Sequence, residues 1–309
     1  MGAPPLPLLP TLCCLALLLL QSQGGDAATF TITNSCDYPV WPGILSSAGS
    51  PAPSTTGFAL APGQSLAATV ASSWSGRIWA RTLCATDPAS GAFACATADC
   101  GSGAVACDGR GAAPPATLAE FTLAAGGDDF YDVSLVDGFN VPVLVAPRAP
   151  PPANNSGTCR PTGCAADLNA PCPAELRVAG PAGGAAVACR SACGAFAEAE
   201  YCCSGAYGSP ATCAPTRYSR FFKAACPAAY SYAYDDATST FTCAAAGAGY
   251  DVVFCPAASR TPEAAGVPPS NTAIEFSGDA DGLVAMASRG AAVLALLMAA
   301  VSVALTRCG

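Results

Sequence analysis

Sixteen of the 19 cysteines in this chain fall between Cys36 and Cys255, and no histidine occurs anywhere. Thiols at this density persist only when they are paired, and their even number predicts about eight disulfide bridges in an exported protein. Zinc binding is the alternative use of cysteine. It is disfavoured because no Cys-x-x-Cys spacing occurs and the adjacent Cys202 and Cys203 are poor tetrahedral partners for one ion. We therefore expect no metal and no other cofactor.

The first 27 residues have the pattern of a secretory signal peptide. An apolar run covers residues 12–20, no acid precedes Asp26, and small residues surround the expected cleavage site at Ala27 or Ala28. This run is too short to span a bilayer, since a helical span needs about 20 apolar residues. The mature chain is therefore predicted to begin near residue 28.

The C-terminal end has the order of a lipid-anchor signal. Small residues that include Ser277 and Gly278 come first, a polar spacer follows, and residues 291–305 are apolar and uncharged. In such signals the tail is removed and a glycosylphosphatidylinositol (GPI) lipid is attached at the small site. We expect residues 259–282 to form a linker that contains this site and residues 283–309 to be removed.

Two alternatives for the tail stay open. A tilted transmembrane helix over residues 283–305 would have to bury Arg289 or extend it to the interface. A vacuolar sorting extension is the other alternative. The lipid anchor is favoured because nothing that resembles a cytoplasmic segment follows the apolar stretch.

Length and charge restrict the rest of the chain. About 230 residues are enough for one folded unit, so residues 28–258 are predicted to form a single domain. Between the two ends the chain has a net charge of −7, from 18 acids against 11 bases. This charge repels nucleic acid backbones and anionic membranes. We expect no nucleic acid partner, and direct attack on anionic bilayers is disfavoured.

Alternating hydrophobicity predicts a β-hairpin in the middle of the chain. Apolar and polar side chains alternate over residues 118–123 and again over 130–135, and the segment 124–129 between them suits a hairpin loop. Because the apolar sets must share the core side, Glu120 and Asp132 are expected together on the opposite face. Other short β-type runs, separated by Pro and Gly, predict a mainly β fold.

A cysteine-rich segment extends from residue 159 to residue 226. Only residues 195–199 suggest a helical turn within it. We expect a lobe that is stabilised by bridges rather than by a large core. Before this segment, Asn154-Asn155-Ser156 forms a glycosylation sequon, so a glycan is predicted at Asn154.

Several motifs in the chain resemble the thaumatin-like family of plant defence proteins. They are Gly91-Ala-Phe-Ala-Cys-Ala-Thr-Ala-Asp-Cys100, Phe130-Tyr-Asp-Val-Ser-Leu-Val-Asp-Gly-Phe-Asn140, Tyr201-Cys-Cys-Ser204 and Phe254-Cys-Pro256. The resemblance covers residues 28–258 and implies a flattened β-sandwich or barrel core with two further lobes. The implied core consists of residues 28–82, 114–165 and 227–258, the disulfide-rich second lobe of residues 166–226, and the small third lobe of residues 83–113.

The resemblance also implies a disulfide pairing, which the sequence alone does not decide. The implied partners are Cys36 with Cys255, Cys84 with Cys95, Cys100 with Cys107, Cys159 with Cys243, Cys164 with Cys226, Cys172 with Cys189, Cys193 with Cys202, and Cys203 with Cys213. A bridge of this kind contributes about 2–4 kcal/mol by restricting the unfolded chain.

A cleft between the core and the second lobe is implied as well. Its expected residues are Arg110, Glu120, Asp132, Asp137 and Asp235. Because clustered acids raise one another's proton affinity, Glu120 is expected to stay protonated and act as general acid, with Asp132 as the second carboxylate of a weak endo-β-1,3-glucanase. In the alternative that we favour, the same acids form a polar wall that binds sugar hydroxyls without hydrolysis.

The ligand implied by the resemblance is β-1,3-glucan or another neutral polysaccharide. The protein is then a monomeric, antifungal defence protein at the plant cell surface or in the cell wall. Two other classes stay open: a membrane-permeabilising antifungal protein, and an anchored protein with a structural or receptor-associated role in the wall.

Three further groups of residues are expected to be structural or solvent-exposed. Tyr230, Tyr232 and Tyr234 are expected to form either a half-buried strand or a sugar-stacking strip. Asp128 and Asp129 are expected at a solvated loop tip. Arg217, Arg220 and Lys223 are expected to form a basic surface patch on the second lobe.

Overall fold

The structure, a computed structural model, describes residues 27–148, 159–181, 183–244 and 249–257. The expected signal peptide up to residue 26, Asn154, Ser277, Gly278 and the C-terminal tail lie outside these residues. The strands are β1 (Ala27–Asn34), β2 (Trp41–Ser46), β3 (Ser65–Ala71), β4 (Ser75–Thr86), β5 (Phe93–Thr97), β6 (Leu118–Thr122), β7 (Asp128–Ser134), β8 (Val143–Pro147), β9 (Thr162–Cys164), β10 (Arg177–Ala179), β11 (Ala186–Cys189), β12 (Phe241–Ala244) and β13 (Tyr250–Phe254). The helices are α1 (Ala192–Phe196), α2 (Ala199–Cys202), α3 (Arg217–Ala225) and α4 (Asp236–Ser239), with 3-10 turns at Ala174–Leu176 and Gly205–Tyr207.

Two sheets form the core. One contains five strands in the order β3-β1-β13-β8-β9, and the other contains β12-β7-β6-β4-β2 with β5 paired to β4. Neighbouring strands run antiparallel, except that β1 pairs with β13 in parallel. The first and last strands of the domain are therefore central neighbours in one sheet, and the bridge between Cys36 and Cys255 closes the same end.

An aromatic cluster joins the two sheets. Phe30 and Tyr250 come from the five-stranded sheet, Phe121 and Tyr131 come from the other sheet, and all four are buried. The ring centroids lie 4.6 Å apart for Phe30 and Phe121, and 5.2 Å apart for Tyr131 and Tyr250. These distances are typical of favourable aromatic pairs. The sheets thus pack face to face as a β-sandwich, as the resemblance implies.

The predicted hairpin is confirmed in its register. Strands β6 and β7 pair antiparallel, with Phe121 opposite Tyr131 on the core side and Glu120 opposite Asp132 on the other side. This pairing follows from the alternation of apolar residues, because a shift by one residue would turn every apolar side chain away from the core.

The prediction that Asp128 and Asp129 form a solvated loop tip is wrong for Asp129. Strand β7 already begins at Asp128, which is exposed, but the next residue, Asp129, is buried. Its carboxylate accepts hydrogen bonds from the backbone nitrogen of Ala124 and from the hydroxyl of Tyr250. A buried tyrosine hydroxyl requires an acceptor, and Asp129 supplies it.

The third lobe is connected to the core through a buried arginine. Arg81 on β4 is fully buried. Its Nε donates to the carbonyl of Trp41 at 3.0 Å, and its Nη2 donates to the carbonyls of Val105 at 2.6 Å and Pro42 at 3.3 Å. Because Val105 belongs to the third lobe and the other two carbonyls belong to the core, one side chain links both parts.

Disulfide bridges occur in all three parts of the domain. The eight bonded pairs have the same partners as those implied by the resemblance. They are Cys36–Cys255, Cys84–Cys95, Cys100–Cys107, Cys159–Cys243, Cys164–Cys226, Cys172–Cys189, Cys193–Cys202 and Cys203–Cys213.

Helix α3 of the second lobe was not expected, because the sequence suggested a helical turn only at residues 195–199. Thr216 caps it, since its hydroxyl accepts from the backbone nitrogen of Ser219 while the Ser219 hydroxyl accepts from the backbone nitrogen of Thr216. Tyr218 and Phe222 are buried on one face. Both features are visible in the sequence as a cap residue followed by an i, i+4 aromatic pair.

Candidate functional site

The site is built on the exposed side of three neighbouring strands. Glu120 of β6 lies opposite Asp132 of β7 and also opposite Arg77 of β4. The Nε of Arg77 is 3.9 Å from Oε1 of Glu120. The two carboxyl groups and the guanidinium therefore form a row across the sheet, with the glutamate in the middle.

Two adjoining cavities meet at this row. The larger, which we call the acid groove, has a volume of about 380 Å³, and the smaller, the side pocket, has about 230 Å³. Both are lined by Arg77, Glu120 and Asp132. The acid groove is also lined by Leu118, Ser134, Val136, Asp137, Tyr230, Ala233 and Asp236, and the side pocket by Ser47, Ser75, Gly76, Phe121, Thr122 and Phe130.

The two cavities differ in chemical character. Three of the groups that line only the acid groove, Asp137, Asp236 and Tyr230, are acidic or aromatic. The side pocket instead presents hydroxyl groups and the half-exposed ring of Phe130. The hydroxyl of Ser75 lies within hydrogen-bond distance of the hydroxyls of Ser47 and Thr122.

Asp132 has the most perturbed carboxyl of the site. Burial raises its pKa to about 8, and the negative charges of Glu120 and Asp236 add to the shift. Its Oδ2 is buried and has no hydrogen-bond partner in the part of the chain that the structure describes. A carboxyl that is desolvated and unpaired favours its neutral form. Asp132 is therefore the group that holds a proton near neutral pH.

The proton was expected on Glu120, and the structure exchanges the two roles. Burial also raises the pKa of Glu120 and Asp137 adds to this, but the positive charge of Arg77 opposes the shift. Among the described residues, no positive charge offsets the pKa shift of Asp132. The difference between the two carboxyls thus comes from the arginine on the third strand.

Asp137 is brought to the acid groove by a turn after β7. Gly138 adopts a φ of +93°, and a Cβ at this position would come within 2.6 Å of the carbonyl oxygen of Cys189. Only glycine meets both conditions. The expected Asp-Gly turn is therefore present, and it places Asp137 beside Glu120.

The last acid of the site is Asp236, although Asp235 was expected. Asp235 does not line the acid groove. Its Oδ2 lies 2.9 Å from Nζ of Lys223 and accepts hydrogen bonds from the backbone nitrogen and hydroxyl of Ser231. Asp236, at the start of α4, faces the groove and accepts a hydrogen bond from the hydroxyl of Tyr230 at 2.8 Å. The expectation is wrong because the ammonium group holds the first of the two acids.

The expected arginine is also replaced. Arg110 is exposed in the third lobe and is not among the residues that line the acid groove. Arg77 occupies the place expected for it. Strand β4 reaches the acid pair only through its pairing with β6, about 43 residues further along the chain, so no local pattern marks this residue.

The tyrosines and the basic cluster differ from expectation too. Residues 230–234 do not form a strand, apart from one bridge between Tyr230 and Ser134, and only Tyr230 of the three tyrosines lines the acid groove. In the basic cluster, Arg220 is exposed as expected. Lys223, however, is half-buried and donates to the carbonyl of Ala229 and the hydroxyl of Ser239 in addition to its ion pair.

The family model described as "Thaumatin family" matches residues 34–256 of the chain. This range includes every residue of the acid groove and all eight bridges. The chain belongs to the thaumatin family. The motifs and the disulfide pattern that resembled this family are therefore family features, and the acid groove is a feature of a thaumatin-family domain.

Relatives from three plants cover most of this thaumatin-family chain. "Thaumatin-like protein 1" of Arabidopsis thaliana is 54% identical over 78% of the chain and 91% of its own length. "Thaumatin-like protein 1" of Pyrus pyrifolia is 53% identical over 78% and 97%. "Glucan endo-1,3-beta-glucosidase" of Prunus avium is 53% identical over 78% and 96%.

Two properties of the described residues concern metals and membranes. Within the described ranges, no three side chains of His, Cys, Asp or Glu are grouped so that they could hold a metal ion. None of the helices in this part of the chain is both long and apolar enough to cross a bilayer.

Proposed function

We propose that this thaumatin-family protein binds β-1,3-glucan, with the chain of sugars lying along the acid groove and the side pocket. The observation that carries the proposal is that two adjoining cavities meet at Glu120 and Asp132. A polymer needs contacts on both sides of a central point, and this arrangement provides them. The ligand is expected to be neutral, because the acids would repel an anionic polysaccharide.

Each part of the site fits sugar chemistry. Ionised carboxylates accept hydrogen bonds from sugar hydroxyls, and a protonated Asp132 donates one. Tyr230 and Phe130 offer apolar ring surface at the two ends of the site, and such rings pack on the C–H face of a sugar. The relative from Prunus avium, whose name specifies glucan endo-1,3-β-glucosidase activity, supports β-1,3-glucan as the polymer.

A co-sedimentation assay with insoluble β-1,3-glucan tests this proposal. Wild-type protein is expected in the pellet. The variants Asp132→Asn and Arg77→Gln are each expected to bind about tenfold more weakly, because each loses one buried hydrogen bond or charge contact with the glucan. Asp128→Asn is the matched control, because it makes the same change of side chain at an exposed position of the same strand. Wild-type protein that stays in the supernatant would contradict the proposal.

Slow hydrolysis of the bound glucan is a second candidate function, and the unequal carboxyls favour it. Asp132 would donate its proton to the glycosidic oxygen as the bond to the anomeric carbon breaks. Glu120, kept nearer its ionised form by Arg77, would stabilise or attack the anomeric carbon from the other side.

We also propose that the protein acts in plant defence outside the cell, as an antifungal protein held at the outer face of the plasma membrane or in the wall. The cysteine content supports export, and the order of residues after residue 276 supports a lipid anchor at Ser277 or Gly278. Phosphatidylinositol-specific phospholipase is expected to release the protein from plant membranes. Retention after this treatment would favour the transmembrane alternative instead.

A further inference from the structure

A further cavity of the domain is separate from the site above. It has a volume of about 480 Å³, and we call it the lobe pocket. Tyr38 and Leu83 contribute to it from the core and the third lobe, and Asn169, Arg177 and Val187 contribute from the second lobe. It shares no lining residue with the acid groove or the side pocket.

The pocket contains a buried acceptor without a donor. The side-chain nitrogen of Asn169 donates to the carbonyls of Asn140 at 3.0 Å and Val187 at 3.3 Å. Since both partners can only accept, the orientation of the amide is fixed. The oxygen Oδ1 is buried and accepts no hydrogen bond from the described residues. Buried polar atoms are nearly always paired, so this oxygen is an exception within the described part of the chain.

Apolar surface lies next to this oxygen. Tyr38 is 41% exposed and Leu83 is 52% exposed, which makes them two of the five large apolar residues that the described part of the chain exposes. Leu83 also has a φ of +53°. A bulky residue in this conformation is strained, and strain of this kind concentrates at functional sites. The strained backbone thus holds an apolar side chain at the pocket instead of in the core.

The charged groups of the pocket balance each other. Asp167 and Arg177 both line it. One oxygen of Asp167 accepts from the backbone nitrogen of Asn169, which leaves the other for a ligand. Arg177 uses Nε to donate to the carbonyl of Cys172, and its guanidinium carries four further N–H groups. A ligand here meets donors, acceptors and apolar surface, with no excess of charge.

We propose that the lobe pocket is a second carbohydrate site, which binds one neutral sugar ring of a glycan. A sugar hydroxyl can donate to the second carboxylate oxygen of Asp167 and accept from Arg177, which neither a purely apolar ligand nor an anion can do together. The C–H face of the ring packs on Tyr38 and Leu83. The proposal does not depend on glucan binding in the acid groove.

An amide NMR titration of the purified, isotope-labelled protein tests the proposal. The probes are neutral oligosaccharides of β-1,3-linked glucose, β-1,4-linked glucose and β-1,4-linked xylose. At least one of them is expected to shift the side-chain amide signals of Asn169 at millimolar concentration. The same shift is expected in Asp132→Asn, which separates this site from the acid groove.

Two variants test the role of the pocket. Tyr38→Ala is expected to weaken the binding about tenfold, the effect of losing one ring contact. Ala170→Trp, at an exposed position that lines the pocket, is expected to block it. Tyr207→Ala is the control, because this tyrosine is similarly exposed, at 38%, but lies outside the pocket. The proposal is overturned if no probe shifts the Asn169 signals, or if binding survives in both pocket variants.

Discussion

The ammonium group of Lys223 lies 2.9 Å from the carboxylate of Asp235, and this contact joins helix α3 of the second lobe to the loop that supplies the acid groove. The next residue, Asp236, points into the groove. Lys223 also donates to the carbonyl of Ala229 and to Ser239. One side chain thus holds the segment that positions Asp236 and Tyr230 without touching the groove itself.

Lys223→Met is therefore expected to affect both stability and glucan binding. The side chain of Lys223 is 25% exposed and that of Asp235 is 11% exposed, so the burial of this ion pair is intermediate between that of a surface pair and that of a buried pair. Its loss is expected to lower the free energy of unfolding by about 2 kcal/mol, since Asp235 is left without its cation. Guanidinium denaturation measures this value, and co-sedimentation measures the binding.

Two further variants serve as controls for the ion pair. Arg220→Met removes a positive charge from an exposed position of the same helix and is expected to change neither property. Lys223→Met combined with Asp235→Asn is expected to recover part of the stability, because no buried charge then lacks its partner. A double variant that shows the simple sum of the single effects would mean that the two residues are not coupled.

The pKa of Asp132 predicts how stability depends on pH. This carboxyl has a pKa of about 8 in the folded protein and about 3.9 when unfolded, so the folded state binds the proton more tightly. Its contribution to stability is therefore fully present below about pH 4, decreases as the pH rises, and is lost above about pH 8. The upper limit of this decrease is about 6 kcal/mol.

Asp132→Asn tests this prediction by removing the titrating group. The variant is expected to lose less stability than the wild type between pH 4 and pH 8. The free energy of unfolding of the variant minus that of the wild type therefore increases with pH. Asp128→Asn is expected to follow the wild-type curve. Parallel curves for the wild type and Asp132→Asn would show that Asp132 is ionised throughout.

If the protein hydrolyses glucan, the two carboxyls have separate effects on the rate. Asp132→Asn and Glu120→Gln are each expected to lower kcat for the release of reducing ends at least about 100-fold. This is the contribution that one general acid or its partner makes to the rate. The rate is expected to fall above about pH 8, where Asp132 loses its proton. Activity that persists in both variants would exclude this pair from any mechanism.

The register of the hairpin predicts the stereochemistry of the same reaction. Residues directly opposite each other on antiparallel strands have Cβ atoms about 4.5–5.5 Å apart. Glu120 and Asp132 are such a pair. Side chains that leave such neighbouring Cβ atoms can bring their carboxyl groups to the roughly 5–5.5 Å separation of retaining glycosidases, which leaves no room for the extra water of an inverting enzyme. NMR of the first product is therefore expected to show the β-anomer, and the α-anomer would contradict this.

Arg81 is expected to be the most sensitive charged residue for stability. It is fully buried, and it satisfies the carbonyls of Trp41, Pro42 and Val105. Arg81→Met leaves these acceptors without donors and is expected to lower the free energy of unfolding by about 3 kcal/mol or more. Arg110→Met, an exposed arginine of the same lobe, is the control. Equal stability of the two variants would contradict the role given to Arg81.

Much of the fold follows from local patterns in the sequence. The cysteine content indicates an exported domain held by disulfide bridges, and alternation alone predicts that Glu120 and Asp132 share one face. The lengths and alternation of short β-type runs indicate a mainly β fold. The family motifs add the pairing of the cysteines, which no local rule supplies.

The identities of the remaining site residues do not follow from local patterns. Asp235 and Asp236 are adjacent acids, and no sequence rule says which one faces the groove. Helix α3 decides this, because Lys223 holds the first of them. Asp129 is similar, since only the contact with Tyr250, more than a hundred residues away, shows why an acid of the hairpin is buried.

The sequence by itself determined that disulfide bridges hold the domain and that Glu120 and Asp132 share one face of a hairpin, because these features depend on composition or on side-chain alternation within a few residues. Tertiary structure alone decided that Arg77 stands beside Glu120 and that Asp132 is the carboxyl that keeps its proton. The pKa of a carboxyl depends on its burial and on nearby charges. Both are set by strands that meet in the sheet but lie far apart along the chain.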